Sequence, residues 1–317
     1  MTKVLISGAD GFIASHLIDF LIANEDVEVF GTVRRLADKS NLKDSMDQIE
    51  LLDMELTDSL SVDGVIKKVH PDKIFHLAAQ SFVPTSWTAP ANTINSNVIG
   101  TLNVLDSVRN HVPDAFVQIA GTSEEYGMVR IEECPIKETN SLRPLSPYGV
   151  SKVAADLLGY QYAKSYNLNI LRTRTFNQTG PRRGEAFVDA NFARQIVNIE
   201  QGASKTLKHG NLEAVRDFTD VRDTVVAYWS LSDKKWNGDV VNVCSGKGKS
   251  MRAVLDTLIG CSDSEIITEE DPTRMRPSDV PLLIGDNSIL RMYTDWEPYY
   301  TWEESIRDLL EYTRGKL

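Results

Sequence analysis

The sequence predicts an α/β protein: a doubly wound parallel sheet followed by a smaller, mostly C-terminal lobe. Three observations carry this expectation. Short, β-rich apolar runs alternate with longer amphipathic stretches through the first half of the chain, which is the rhythm of βαβ units. The first run leads straight into a glycine turn and a helix-like segment. The alternation stops near Asn177, and 317 residues with 42% hydrophobic side chains suffice for one large or two unequal domains.

In chain order, KVLIS (3–7) is a continuous apolar run of strand length, as a strand covered on both faces should be. FIASHLIDFLIAN (12–24) has the length and pattern of a helix, and VEVFGTVR (27–34) and IELLDM (49–54) are the next two strands. VIKKV (65–69) belongs to a helix, KIFHLAA (73–79) to a fourth strand, TLNVLDSVR (101–109) to a helix and AFVQIAG (115–121) to a fifth strand. A long helical pattern follows from Pro147 to Tyr166, opened by a proline that needs no N–H there, and NILRTRTF (169–176) is a further strand. Residues 178–184 are rich in turn formers, and beyond them short strands and helices mix less regularly up to a terminal helix near 302–314. No repeat, low-complexity tract or linker separates independent modules. The expected division is residues 1–176 as a Rossmann-like nucleotide-binding domain and 177–317 as a ligand-binding lobe, with some chain crossing back. The cleft between them is the expected site.

Composition narrows the function. With 34 basic against 45 acidic side chains, a net charge of −11, the chain lacks the basic footprint of a nucleic-acid or anionic-membrane surface. An anionic ligand must therefore be met by local arginines. No apolar run reaches the roughly 18 residues of a spanning helix, and the opening MTKVLISGAD is too short in apolar residues for a secretory signal, so a cytoplasmic protein is expected. Cys134, Cys244 and Cys261 are odd in number and not in CxxC spacing, which suggests neither a disulfide framework nor a zinc site. His16, His70, His76, His111 and His209 show no metal-ligand spacing, so no metal is expected; His76 reads as a packed strand residue.

The first strand runs into Gly8-Ala9-Asp10-Gly11-Phe12-Ile13-Ala14. Gly8 and Gly11 permit a tight turn and close backbone approach, and the small Ala14 lets the helix pack on the strand. The helix N-terminus is then left to hold a pyrophosphate. An acidic residue after the second strand would select the ribose hydroxyls of NAD; here the strand ends in Arg34-Arg35, and paired guanidiniums suit the 2′-phosphate of NADP. Leu77, Ala78 and Ala79 form a small apolar strand end fit to run beside such a cofactor. Tyr148 and Lys152 lie four apart on the long helix, so both project from one face. An ammonium beside a phenol is expected to lower the phenol's pKa and suit it to proton exchange with a carbinol or carbonyl oxygen. Thr122-Ser123-Glu124 closes the intervening strand. Arg182, Arg183, Arg216 and Arg276, all beside turn formers, are the positive charges available to a diphosphate.

These features, with LAAQSFVPTSW, GTSEEYG, SPYGVSK, FNQTGPRRGEAFV, GNLEAVRDFTDVRD and RPSDVPLLIGD, resemble the extended short-chain dehydrogenase/reductase superfamily over nearly the whole chain. Within it the chain is similar to the GDP-mannose 4,6-dehydratases and the GDP-4-keto-6-deoxy-mannose reductases. The resemblance implies an NADP-dependent enzyme acting on a GDP-sugar, with Thr122, Glu124, Tyr148 and Lys152 catalytic and Ser123 supporting them. It also places Glu55 and Leu56 beside the cofactor, Gln80, Ser81, Asn177 and Val188 along the sugar and nucleotide pocket, Arg216 and Arg276 at the diphosphate, and Asp279 at the ribose. Glu55 stands where an aspartate is usual, and Asp279 where the dehydratases often have glutamate. GNLEAVRDFTDVRD and NVCSG are closer to the reductases; residues 80–87 and PRRGEAFV are closer to the dehydratases. Glu124 is the carboxylate that water elimination needs, so the dehydratase is the expectation, with the 4-keto reductase or another GDP-sugar next, and a non-catalytic NADP sensor remote. The resemblance further implies a homodimer through the helices near 95–110 and 147–166, and allows a tetramer through the loop near 35–41.

Overall fold

The computed structural model of the chain describes residues 1–275 and 280–317. Its strands are β1 (Thr2–Ser7), β2 (Val27–Val33), β3 (Glu50–Asp53), β4 (Lys73–His76), β5 (Phe116–Thr122), β6 (Asn169–Thr175), β7 (Asn177–Thr179), β8 (Thr206–His209), β9 (Val215–Asp220), β10 (Asp239–Val243), β11 (Gly248–Ser250), β12 (Ile267–Glu270) and β13 (Leu282–Leu283). Seven of them form one sheet in the order β10-β6-β5-β4-β1-β2-β3, every neighbouring pair parallel. The chain reverses its winding between β1 and β4, the switch point where such sheets take ligands.

The helices are α1 (Phe12–Asn24), α2 (Ser59–Val69), α3 (Val83–Thr88), α4 (Pro90–Ile94), α5 (Gly100–His111), α6 (Pro147–Tyr166), α7 (Val188–Glu200), α8 (Val221–Leu231), α9 (Met251–Ile259), α10 (Ser288–Tyr293) and α11 (Trp302–Lys316). Side chains alternate across the pleat, so Val4 and Ile6 pack with Leu17, Ile18 and Leu21 of α1 and with Val225, Tyr228 and Leu231 of α8. Leu5 packs on the other face with Val62 and Ile66 of α2, Leu105 and Val108 of α5, and Tyr162 of α6. Burial on both faces is why these strands read as unbroken apolar runs; each fully buried aliphatic contributes about 1.5–3 kcal/mol.

The lobe has its own core, in which Phe192 and Ile196 of α7, Leu255 and Leu258 of α9, and Ile306 and Leu309 of α11 pack on Leu207 and Phe218. Two features depart from the simple alternation. The helix expected near 95–110 begins at Pro90 and passes through a wide π turn, Asn95–Ile99, before α5. Lobe and sheet are also interleaved: α8 packs with α1, and β10 pairs with β6 at the sheet edge, Asn242 opposite Arg174.

Candidate active site

The glycine turn lies at the carboxyl end of β1. Gly8 has φ +70°, and a Cβ there would stand 2.9 Å from the Ala78 Cα, so only glycine lets this turn lie flat against the exit of β4. Gly11 N–H donates to the Gly8 carbonyl at 2.8 Å, and among the described residues no side chain caps the α1 N-terminus that follows. Amide donors left open at a helix start suit an anionic pyrophosphate. Asp10, Phe12 and Ile13 complete the turn, with Ile13 packed against the core. Arg34 and Arg35 follow β2, both exposed and without an ion pair among the described residues; Arg34 also lowers the pKa of Asp10, against the larger upward push of burial. The turn, the open helix end and the two guanidiniums fit a dinucleotide bearing an extra phosphate.

His76, read from the sequence as packing, also organises this edge. The Ser7 hydroxyl accepts from the N–H groups of Leu77 and Ala78, both at 3.1 Å, and meets His76 Nδ1 at 2.9 Å. His76 Nε2 donates to Thr101 Oγ1 at 3.1 Å, and that hydroxyl donates to the Asn97 carbonyl. The chain of bonds requires a neutral ring, and burial depresses the His76 pKa to about 3. Asn97 sits in the π turn. Its Oδ1 accepts from Gln80 N–H at 2.8 Å, and its Nδ2 donates to the Gln80 carbonyl at 3.0 Å and to Ser151 Oγ of α6 at 2.9 Å. Asn97 therefore joins the exit of β4 to the helix that carries Tyr148. The widened turn aims this amide inward, a tertiary role that neither residue type nor spacing announces.

Thr122 ends β5 and caps the single turn that follows, its hydroxyl accepting from Glu124 N–H at 3.3 Å. Ser123 is buried under that turn and Glu124 is half-buried on it. Facing them, α6 is capped by Ser146, whose hydroxyl accepts from Gly149 N–H at 3.0 Å, so the helix begins cleanly one residue before Tyr148. The Tyr148 phenol is buried, with the Thr122 hydroxyl and the Glu124 carboxylate both close enough to act on its proton. Thr122, Glu124 and Tyr148 are thus brought together. Lys152, one turn on, donates to the Ala120 carbonyl at 2.8 Å. Burial depresses its pKa to about 8, with the Glu125 charge opposing that fall.

The expected lowering of the phenol pKa by Lys152 is corrected here. Burial, with the charges of Glu124 and Glu125, drives Tyr148 above the ordinary phenol range, against a smaller downward pull from the Thr122 hydroxyl. The Lys152 ammonium donates to a β5 carbonyl and does not outweigh this upward push. A further positive charge beside it would bring the phenol back toward its ordinary range.

The remaining residues fall into distinct places. Arg183 stacks 3.7 Å from the Phe187 ring and 5.1 Å from the ring of Phe12 in the glycine turn, facing Asp189 at 3.7 Å and close enough to Tyr148 to share its field. It therefore stands between the glycine turn and Tyr148. Arg182 is engaged with Asp19 of α1 at 2.6 Å. Arg216 is buried in β9 and donates to the carbonyls of Val215 and Val280. Asn177 and Val188 open β7 and α7, both half-buried. The Gln80 amide is engaged in its own loop, with Phe82 and Thr93, while Ser81 beside it is exposed. Glu55 accepts from Thr57, and Leu56 packs beside Gly100. Arg276 and Asp279 lie outside the described residues. Among the described residues, no group of His, Cys, Asp and Glu is arranged to hold a metal ion, and no helix is long and apolar enough to cross a membrane.

The profile of the GDP-mannose 4,6 dehydratase family matches residues 5–309. The chain belongs to that family. GDP-6-deoxy-D-mannose reductase of Pseudomonas aeruginosa is 31% identical over 309 residues, covering 97% of this chain and 96% of the relative. A GDP-mannose 4,6-dehydratase of Vibrio cholerae serotype O1 is 32% identical over 346 residues, covering 96% and 92%. The solved structure of RMD from Pseudomonas aeruginosa complexed with NADPH superposes with a TM-score of 0.87 at 28% identity over 100% of both chains. Family and fold agree with the expectation from the motifs: this is an enzyme of the extended short-chain dehydrogenase/reductase superfamily on a Rossmann-like sheet.

Proposed function

We propose that the protein is an NADP-dependent GDP-mannose 4,6-dehydratase. The observation that carries this reading is the meeting of Thr122, Glu124 and the Tyr148 phenol at one end of the sheet, opposite a glycine turn fit for a dinucleotide. NADP held at the glycine turn would supply the hydride acceptor for C4 and the hydride donor for C6 of the hexose, and in its oxidised form would supply positive charge to the phenol. Gly8, Gly11 and the α1 N-terminus hold its pyrophosphate, and Arg34 and Arg35 its 2′-phosphate. Tyr148 takes the O4 proton, and Thr122 holds O4 in line. The resulting 4-ketone acidifies the C5 hydrogen. Glu124 removes that proton and delivers it to O6, which leaves as water; as C6 is reduced C5 regains a proton, balanced by the one Tyr148 took from O4, so the net change is the loss of one water. Asn177 and Val188 line the nucleotide-sugar pocket, and Arg216, with Arg276, meets the diphosphate.

A second reading, the NADPH-consuming reduction of a GDP-4-keto-6-deoxy-mannose, is favoured by one observation. The alignment to the Pseudomonas aeruginosa reductase spans 309 residues, against 346 for the Vibrio cholerae dehydratase, although this chain has only 317; the dehydratase carries segments absent here. Incubation with GDP-mannose and catalytic NADP, followed by mass spectrometry, separates the two. Loss of one water with no net change in NADPH absorbance establishes the dehydratase. No product there, but stoichiometric NADPH oxidation with the 4-keto-6-deoxy sugar nucleotide, establishes the reductase and relieves Glu124 of its role as base.

The proposal includes a homodimer. Val150, Leu157 and Tyr160 of α6 are 48%, 52% and 45% exposed, and Ile94 and Ile99 on the preceding bent helix 36% and 38%. Apolar side chains left open on two helices that also pack together are a surface a second copy would cover.

A further inference from the structure

Directly beneath the catalytic turn is a carboxylate that the reaction does not use. Glu125 is completely buried. Its Oε1 accepts from Thr122 N–H at 2.8 Å, and its Oε2 accepts from Arg174 Nε at 3.0 Å. Arg174 goes on to Asp156 of α6 at 3.1 Å, and Asp156 also receives Arg172. Asp156 is one helical turn past Lys152, so the array braces the catalytic turn, β6 and α6 against one another. A side chain at Gly121 would run into the Glu125 carboxylate and come within 2.6 Å of the Thr173 carbonyl; glycine there leaves the carboxylate its room.

We propose that Glu125 is a positioning residue of the hydride-transfer centre, fixing the Thr122 turn through its hydrogen bond and holding Lys152 charged through its own negative charge. This rests on the reading of Tyr148 and Lys152 as the acid–base pair. The Glu125 carboxylate takes the Thr122 N–H and the Lys152 ammonium takes the Ala120 carbonyl, two residues apart at the end of β5, so the two opposite charges lie beneath the same turn. The groups facing Glu125 are Lys152, Tyr148 and Asp156 from α6 and Arg174 from β6; Glu124 and Tyr126 flank it on its own turn, and Glu138 reaches the array through its carbonyl to Arg174. Burial raises the Glu125 pKa, Asp156 adds to that, and Arg174 opposes it. Because Glu125 stabilises the protonated amine and disfavours the phenolate, removing its charge lowers the pKa of both.

The test is Glu125→Gln, which keeps an oxygen for Thr122 N–H and removes the charge. Lys152 is titrated by NMR of ε-labelled lysine, assigned by the signal lost in Lys152→Met. Its midpoint is expected to fall by roughly one pH unit in the Gln variant, with the kcat–pH profile moving in the same direction while KM holds. Glu125→Leu, which also loses the hydrogen bond, should lower kcat at every pH. An unchanged Lys152 midpoint in Glu125→Gln overturns the proposal, whether or not the Leu variant folds. The titration needs no turnover, so failure of the proposed function on either sugar nucleotide leaves this result readable.

Discussion

At Tyr148, burial pushes the phenol up while its task requires a proton that can move, so the acid–base centre is complete only when a cation arrives beside it. Tyr148→Phe should therefore cut kcat by about 10²- to 10⁴-fold with the dissociation constant for NADP unchanged, measured by fluorescence quenching; a protein that only senses NADP would be indifferent. Gly8→Ala should act the other way round. The added methyl meets Ala78 at a positive φ, and cofactor affinity should fall at least tenfold by the same titration while the fold survives. Much of this centre was legible at the residue level, because the spacing of Tyr148 and Lys152 and the glycine turn are local signals. Glu125, Asn97 and His76 were not. Their roles come from what surrounds them once the chain is folded, and a carboxylate, an amide and an imidazole in sequence give no sign of being buried.

Among the elements, α6 and the bent helix before it carry the most. Ser146→Ala removes the cap that starts α6 and should cost about 1 kcal/mol, seen as a midpoint lowered in urea with an unchanged slope. Asn97→Leu strips partners from Gln80 and Ser151. It should destabilise by about 1–3 kcal/mol for each buried group left unpaired and lower kcat by loosening α6 against the exit of β4. The strands and helices of the first half were predictable, since apolar runs and periodicity are properties of contiguous residues. The π turn was not, because Asn95–Ile99 has ordinary helical composition and its width is set by where Asn97 must point. That some chain crosses back was expected, but not which segment: DVVNV resembles any short strand, and its partner lies far back along the chain.

For the whole molecule, assembly and acid stability are the testable properties. Leu157→Glu combined with Val150→Lys should convert a dimer to a monomer by light scattering; a wild type that is itself monomeric would remove that part of the proposal. His76 and His16 are held neutral in the folded protein, with pKa values depressed to about 3 and about 4. The unfolded chain protonates them near 6.5, so their contribution to stability is complete above that pH and is lost as pH falls from 6.5 toward 4, at about 1.4 kcal/mol per unit for each ring. The melting temperature should decline across this window, less steeply in His16→Gln, which still offers a donor to the Pro181 carbonyl.

The crossing of β10 onto β6 also bears on synthesis. When β6 has left the ribosome, the strand that will cover its open edge lies more than 60 residues further along the message, roughly 3 to 13 seconds away at ordinary elongation rates. For that interval the nascent sheet presents an unpaired edge to every neighbouring chain. Slow translation through residues 180–240 would lengthen the exposure and reduce the yield of soluble protein, and a chain cut short before residue 239 would carry the open edge permanently.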